Sequence, residues 1–272
     1  MDAKKAVDAL SAPPRPTATH HNPAGTTSDL SVDEVLLLHS IGWEPADMVF
    51  GVAWWSVPWG SWQWRTGEIV EASNAFAGAM EEAAGQLRAE CARAGGSGVV
   101  GVKVDLRVRA QHMDVSLTGT AIRRTGKKPT GFEFISDLSA RDFAVLTRSG
   151  WTPLGLATGA SFVIAPRRTA KQWAAQQGQN VELPHLTEAL YQAREGAMAR
   201  MQQAGISMHA QGIVDVKMDE GPMGAGGRVM QFVAVGTAVK LAASEHQMIR
   251  PEMVVTLNDP VVLFEAASVR GG

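Results

Sequence analysis

The 272-residue chain is poor in the residues from which several common classes of site are built. It has a single cysteine, Cys91, which excludes a disulfide within the chain and is typical of a reducing compartment. The net charge is −2, so there is no overall basic field to attract nucleic acid or an anionic membrane surface. No apolar run reaches the roughly 18 residues of a membrane helix, and the first residues lack the apolar core of a signal peptide. We therefore expect a cytoplasmic protein that neither binds nucleic acid nor inserts into membranes.

Closely spaced motifs for catalysis or metal binding are missing as well. The region predicted to fold contains no His-x-His or His-x₃-His pair, and Cys91 has no second cysteine to act with it. A soft-metal site requires several such groups to converge. No carboxylate and histidine share a predicted element at a spacing that suggests joint acid–base work. On these grounds we expect the protein not to be an enzyme.

What the chain does contain is a repeat, in which Gly42 and Gly150 occupy equivalent positions. A capping-box pattern, Ser31 with Glu34, predicts a helix over residues 32–41 that ends at Gly42. The second half repeats this arrangement from 136 to 150. Both helices are followed by Gly-Trp-x-Pro and then by an apolar stretch that predicts a buried strand, within 48–53 and 154–164. A register shared by all these positions indicates duplication.

Each half then continues with a longer helix and a strand pair. Apolar and polar residues alternate over 99–122 and again over 213–239, which predicts two-stranded hairpins with one face in the core. Each half therefore reads helix–strand–helix–strand–strand. We predict an α+β fold made of two tandem domains, each with its helices on one face of a small, mainly antiparallel sheet. The predicted organisation is a disordered tail (1–27), a first domain (28–124), a linker (125–135), a second domain (136–243) and a C-terminal extension (244–272).

The closing strand of each half carries a recognisable ending. The first half runs from Gly98–Asp105 to Gly119-Thr120-Ala121-Ile122, and the second closes on Gly236-Thr237-Ala238-Val239. This pattern, over residues 47–122 and 154–240, resembles the YbjQ family, which is also described as a "putative heavy-metal-binding domain". The resemblance implies two tandem copies of a small α+β domain that associates into a ring. It also implies a divalent metal ion as a cofactor to be tested, and no established enzymatic activity.

Charged residues recur at matching positions of the two hairpins. Lys103 and Asp105 share one strand face, and Lys217 and Asp219 share the equivalent face of the second half. One interpretation is a polar lining that binds an ion or a small ligand, with Asp105 and Asp219 as candidate metal ligands. The other is a solvated face or a set of salt bridges, which is the ordinary fate of charges on a wet strand face.

Two further candidate metal ligands lie at the first hairpin turn. His112 and Asp114 are close enough in sequence to share a ligand there. Hairpin turns commonly carry polar residues, so an ordinary turn is the alternative interpretation.

Tryptophans are concentrated in one segment that the second half lacks. Five of the eight stand at Trp54, Trp55, Trp59, Trp62 and Trp64. Indole rings combine a large apolar area with one hydrogen-bond donor and are enriched at interfaces. The segment is predicted to fill the seam between the halves, to pack between subunits, or to receive an apolar ligand or a partner protein.

Three functional hypotheses follow. The leading one is a non-enzymatic assembly or binding protein that forms a homo-oligomer, with a ring as one form. The second is a binder of a divalent heavy metal or a small ligand. The third, an enzyme, has the least support from the residues.

Overall fold

The computed structural model describes residues 27–57, 66–109, 112–127, 131–168, 182–223 and 227–242. The predicted tail up to residue 26 lies outside these ranges. So do Trp59, Trp62 and Trp64, and the C-terminal extension.

The described residues form four helices and eight strands. The helices are α1 (Val32–Ser40), α2 (Val70–Arg93), α3 (Ala140–Arg148) and α4 (Pro184–Ser207). The strands are β1 (Trp43–Ser56), β2 (Gly67–Glu68), β3 (Gly98–Arg109), β4 (His112–Arg124), β5 (Phe134–Ile135), β6 (Trp151–Ile164), β7 (Gly212–Met223) and β8 (Val229–Leu241). None of the helices among these residues is long and apolar enough to cross a membrane.

The strands build two four-stranded sheets of matching design. The first has the order β1-β4-β3-β5 and the second β2-β6-β8-β7, so in each the long strand pairs with the return strand of the hairpin. Both long strands shift register just after a proline, at Pro45 and Pro153. The first strands of the hairpins shift register after Val100 and after Val214. The α+β class and the predicted order of the main elements are confirmed.

Two short strands were not predicted, and both connect parts of the chain. β5 lies within 125–135, which was predicted to be a linker, and pairs in parallel with β3. β2 follows the tryptophan segment of the first half but pairs with β6 of the second sheet. The two halves therefore exchange backbone hydrogen bonds.

Glycines allow each long helix to lie directly on its long strand. A methyl group on Gly51 would overlap the carbonyl oxygen of Ala83 in α2, and one on Gly159 would overlap that of Ala197 in α4. Bare backbone at these positions brings the helix axis close to the sheet. Alanines fill the rest of both contacts, and those at 79, 83, 193 and 197 are completely buried. Small residues therefore let both long helices pack closely on their sheets.

One hydrophobic core runs through both halves. It joins Phe76 and Met80 of α2 with Phe162 and Ile164 of β6. A second core lies between α4 and the opposite face of the second sheet. A third lies where α1 and α3 meet, around Trp43. The second sheet is therefore covered on both faces, by its own helix and by the first half.

Candidate functional site

A cavity of about 790 Å³ opens between the two halves, and both Lys-x-Asp pairs line it. Lys103 and Asp105 come from β3, and Lys217 and Asp219 come from β7. The sequence suggested that each pair faces one side of a strand. The structure adds that the two pairs face a common space.

In the first half, Lys103 is paired with an aspartate that precedes α1. Its ammonium lies 2.5 Å from Oδ2 of Asp29, and both side chains are more than half exposed. The backbone N–H of Asp29 donates to the hydroxyl of Thr120 over 3.4 Å. This arrangement ties the start of α1 to both strands of the hairpin. Because the charges are solvated, the pair contributes little to stability.

The second half repeats the arrangement in a buried setting. The ammonium of Lys217 lies 3.2 Å from Oδ2 of Asp137, whose side chain is only 1% exposed. The hydroxyl of Thr237 donates to Oδ1 of Asp137 over 2.5 Å and accepts from its backbone N–H over 3.1 Å. The ammonium also lies 2.9 Å from Asp215. The same three residue types thus form a solvated contact in one half and a buried network in the other.

Burial sets the protonation behaviour of the second network. Desolvation raises the pKa of Asp137, and this outweighs the hydrogen bond from Thr237 and the charge of Lys217, which act to lower it. For Lys217, partial desolvation acts to lower the pKa. Hydrogen bonds and charges from Asp215 and Asp137 outweigh it, so the pKa lies above its ordinary value. In this charge pair, burial disfavours the ionised form of Asp137, whereas its partners favour the charged form of Lys217.

The cavity wall carries more negative than positive charge. Its carboxylates are Asp29, Glu34, Asp105, Asp137, Asp142, Asp215 and Asp219, against the two lysines. In the described part of the chain, no three His, Cys, Asp or Glu side chains come together as a metal site would require. The wall therefore presents a net negative charge to the cavity.

The other predicted metal ligands lie elsewhere. His112 begins β4, and its ring stacks on Trp54 with the centroids 5.4 Å apart and the planes 5° from parallel. Asp114 is opposite Trp54 in the β1–β4 pairing and opposite Arg107 in the β3–β4 pairing. Neither lines the cavity that contains Asp105 and Asp219. The four metal candidates therefore divide between two places.

The two described tryptophans of the segment have different surroundings. Trp55 packs over Gly78 of α2, where a side chain would overlap its ring, and its indole N–H donates to Glu82 over 3.2 Å. Trp54 is 69% exposed. Trp55 thus packs within its own half, and Trp54 belongs to the surface.

Trp54 is part of an apolar stripe along the outer face of β1. Met48 and Phe50, on the same strand face, are 44% and 47% exposed. The free edge of β1 is closed, because Glu90 accepts from the Phe50 N–H over 2.7 Å and Gln86 from the Val52 N–H over 3.0 Å. The stripe offers side chains for contact while its strand edge is blocked.

The sequence did not single out Asp29 and Asp137. Both were seen only as part of the segments that precede the two short helices. The usable signal was their equivalence in the repeat, together with the threonine of Gly-Thr-Ala at the end of each half. The closing motif of each half, with Gly119, Thr120, Gly236 and Thr237, is a structural motif. Methyl groups on the two glycines would overlap the neighbouring hairpin strand, and the two threonines bind these aspartates.

Comparisons with known proteins agree with the repeat's second half. A family model described as YbjQ_1, "Putative heavy-metal-binding", matches residues 172–242. The encapsulin nanocompartment protein Rv1762c of Mycobacterium tuberculosis is 32% identical over 247 residues, which cover 88% of this chain and 94% of that protein. No solved structure matches the chain. At that identity over nearly the whole of both proteins, the chain belongs to the family of the encapsulin nanocompartment protein Rv1762c.

Proposed function

We propose that this protein is a non-enzymatic, cytoplasmic assembly protein that associates with further copies of itself. It consists of two YbjQ-type halves, residues 28–124 and 136–243, of which the second contains the whole of the matched region, 172–242. The observation that carries the proposal is the apolar stripe of Met48, Phe50 and Trp54 on β1. Exposed apolar patches of this kind mark interaction surfaces.

Similarity to the encapsulin nanocompartment protein also supports the proposal of self-assembly. Its name places it with an encapsulin nanocompartment, which is a multi-subunit assembly. We infer that this chain works as a component of such an assembly, because the similarity extends over both halves. The repeat gives the chain two related surfaces instead of one, which suits a subunit that has to contact more than one neighbour.

Measurement of the mass of the purified full-length protein tests the proposal. Light scattering or mass photometry at micromolar concentration is expected to show species well above the 28.9 kDa of one chain. Raising the salt concentration should leave an apolar contact largely intact, whereas a purely ionic one would weaken. A homogeneous 28.9 kDa monomer at all concentrations would contradict self-assembly.

A second candidate function is the binding of a small cationic ligand between the halves. It is favoured by the cavity of about 790 Å³, in which seven carboxylates face two lysines. Calorimetric titration with spermidine tests the organic cation, and titration with Zn²⁺, Cu²⁺ and Ni²⁺ tests the metal. The double variant Asp105→Asn with Asp219→Asn removes two charges from the wall and is expected to bind the cation more weakly than the wild type. Absence of heat with all four probes would contradict this candidate.

A further inference from the structure

The contact between the two halves is made from two different surfaces. The second half contributes the outer face of its sheet, from which Ala160, Phe162 and Ile164 of β6 and Val233 and Val235 of β8 enter the shared core. This is the face opposite α4, since Ala157 and Val163 of β6 pack on the α4 side. A contact between unlike surfaces of two similar units is head-to-tail.

The first half contributes a surface formed by α2 and the inner side of its own sheet. Phe76 and Met80 of α2, with Val104 and Leu106 of β3 and Val115 of β4, belong to the same core as Phe162. In this half the helix and the hairpin therefore contact the other half, and the part of the contact near Val104 and Leu106 borders the cavity of about 790 Å³.

The outer face of the first sheet is the counterpart of the buried outer face of the second. The parallel registers of β1 and β6 place Met48 where the second half has Leu156, and Trp54 where it has Phe162. Phe162 is fully buried, whereas Trp54 is 69% exposed. The equivalent face of the first half keeps apolar residues on β1 but has Ser116 and Thr118 where β8 has Val233 and Val235, and its Trp54 remains mostly exposed among the described residues.

The groove that would receive such a face also has an open counterpart. Leu190 and Arg194 of α4 stand where α2 has Phe76 and Met80, and Met218 and Glu220 of β7 stand where β3 has Val104 and Leu106. Together with Tyr191 and Phe232 they line a cavity of about 480 Å³. Tyr191 and Met218 are 59% and 56% exposed. Among the described residues, the position that contacts the other half in the first half is exposed in the second.

We propose that a second copy of this chain fills the groove: the outer face of the first sheet of one copy docks between α4 and β7 of the next. The inference rests on the proposed self-assembly and names the surfaces that carry it. The template is the contact already present within each chain. Addition of β1 to a foreign strand is blocked by Glu90 and Gln86, so the face and not the edge is used. Because the contact is head-to-tail, it continues until the rotation closes a ring or leaves a filament.

Three matched lysine substitutions of exposed residues test the proposal in the full-length protein. Phe50→Lys changes the docking face, and Tyr191→Lys changes the groove. Ile206→Lys changes an apolar residue of α4, 64% exposed, that lies outside the groove and serves as the control. Masses are measured by mass photometry, and circular dichroism melts check that each variant folds. Met48→Lys and Met218→Lys replace the first two variants if either does not fold.

The proposal expects large wild-type species, unchanged masses for Ile206→Lys, and a rise of at least about tenfold in the dissociation constant for Phe50→Lys and Tyr191→Lys. An equimolar mixture of the two weakened variants retains one intact contact per pair. It is expected to form particles of twice the monomer mass and nothing larger, which only a head-to-tail contact produces.

The outcomes separate the two proposals. A monomeric wild type would overturn self-assembly and this inference together. A large wild type whose mass survives either Phe50→Lys or Tyr191→Lys would overturn the inference alone. A mixture that stays monomeric, or that grows beyond the dimer, would also overturn it.

Discussion

The repeated aspartate–threonine contact allows one substitution to be tested against its own internal control. Thr237→Val removes a buried hydroxyl that donates to Oδ1 of Asp137 and accepts from the Asp137 backbone N–H. Thr120→Val makes the same chemical change at the equivalent position, where Thr120 is also buried but binds Asp29 through one long hydrogen bond. The volume change is the same in both variants, so their difference reports the hydrogen bonds.

The structure gives the size of that difference. A hydrogen bond to a charged buried group is worth about 1.5–3 kcal/mol, and a buried N–H left unpaired costs about 1–3 kcal/mol. Thr237→Val should therefore lower the free energy of unfolding by roughly 3–5 kcal/mol. Thr120→Val loses a 3.4 Å bond to a partly exposed backbone group, so roughly 0.5–1 kcal/mol is expected.

Urea denaturation followed by circular dichroism measures both values. The slopes with urea concentration should be unchanged, because neither variant alters the surface exposed on unfolding. Equal losses in the free energy of unfolding for the two variants would refute the reasoning. They would show that the hydrogen bonds of Thr237 to Asp137 stabilise the fold no more than the single bond of Thr120 to Asp29.

Three further predictions follow. Gly51→Ala in β1 should severely destabilise the protein, because its methyl group overlaps the carbonyl oxygen of Ala83 in α2. Gly85→Ala in α2, where the added methyl group meets no other atom, should instead stabilise it by about 0.5–1 kcal/mol, and thermal melts compare the two variants. Burial raises the pKa of Cys91 to about 11, so iodoacetamide at pH 8 should label it only after denaturation, and rapid labelling of the native protein would contradict its buried position. The pKa of Asp137 is raised on folding, so the free energy of unfolding of the wild type should fall relative to that of Asp137→Asn as the pH rises from 3.8 through the higher folded pKa. Urea titrations at several pH values measure this, and a difference between the two proteins that does not change with pH would contradict it.

The repeat made much of the fold predictable. The helix predicted over 32–41 is observed as Val32–Ser40, with both hydrogen bonds of the capping box between Ser31 and Glu34. The strand predicted within 48–53 is longer, because β1 already begins at Trp43. The predicted strand follows Pro45, yet Pro45 itself lies in β1, where the register shift between Pro45 and Asp47 accommodates it.

The relation between the halves could not be predicted from the sequence. Periodicity shows which face of a strand is apolar, but not which other unit covers that face. Phe162 and Trp54 occupy equivalent positions, and only the structure shows that one is buried and the other exposed. The cavity that joins Asp105 to Asp219 depends on the same packing.

The pairing of β2 with β6 of the second sheet makes the folding of each half depend on the other. Glu68 of β2 contacts Ser73 of α2, Ser161 of β6 and Arg200 of α4 through one carboxylate oxygen. A gene split between the halves would separate this carboxylate from two of its three partners. The two copies of the ancestral unit can therefore diverge, but a substitution near Glu68 in one half also affects its partners in the other half.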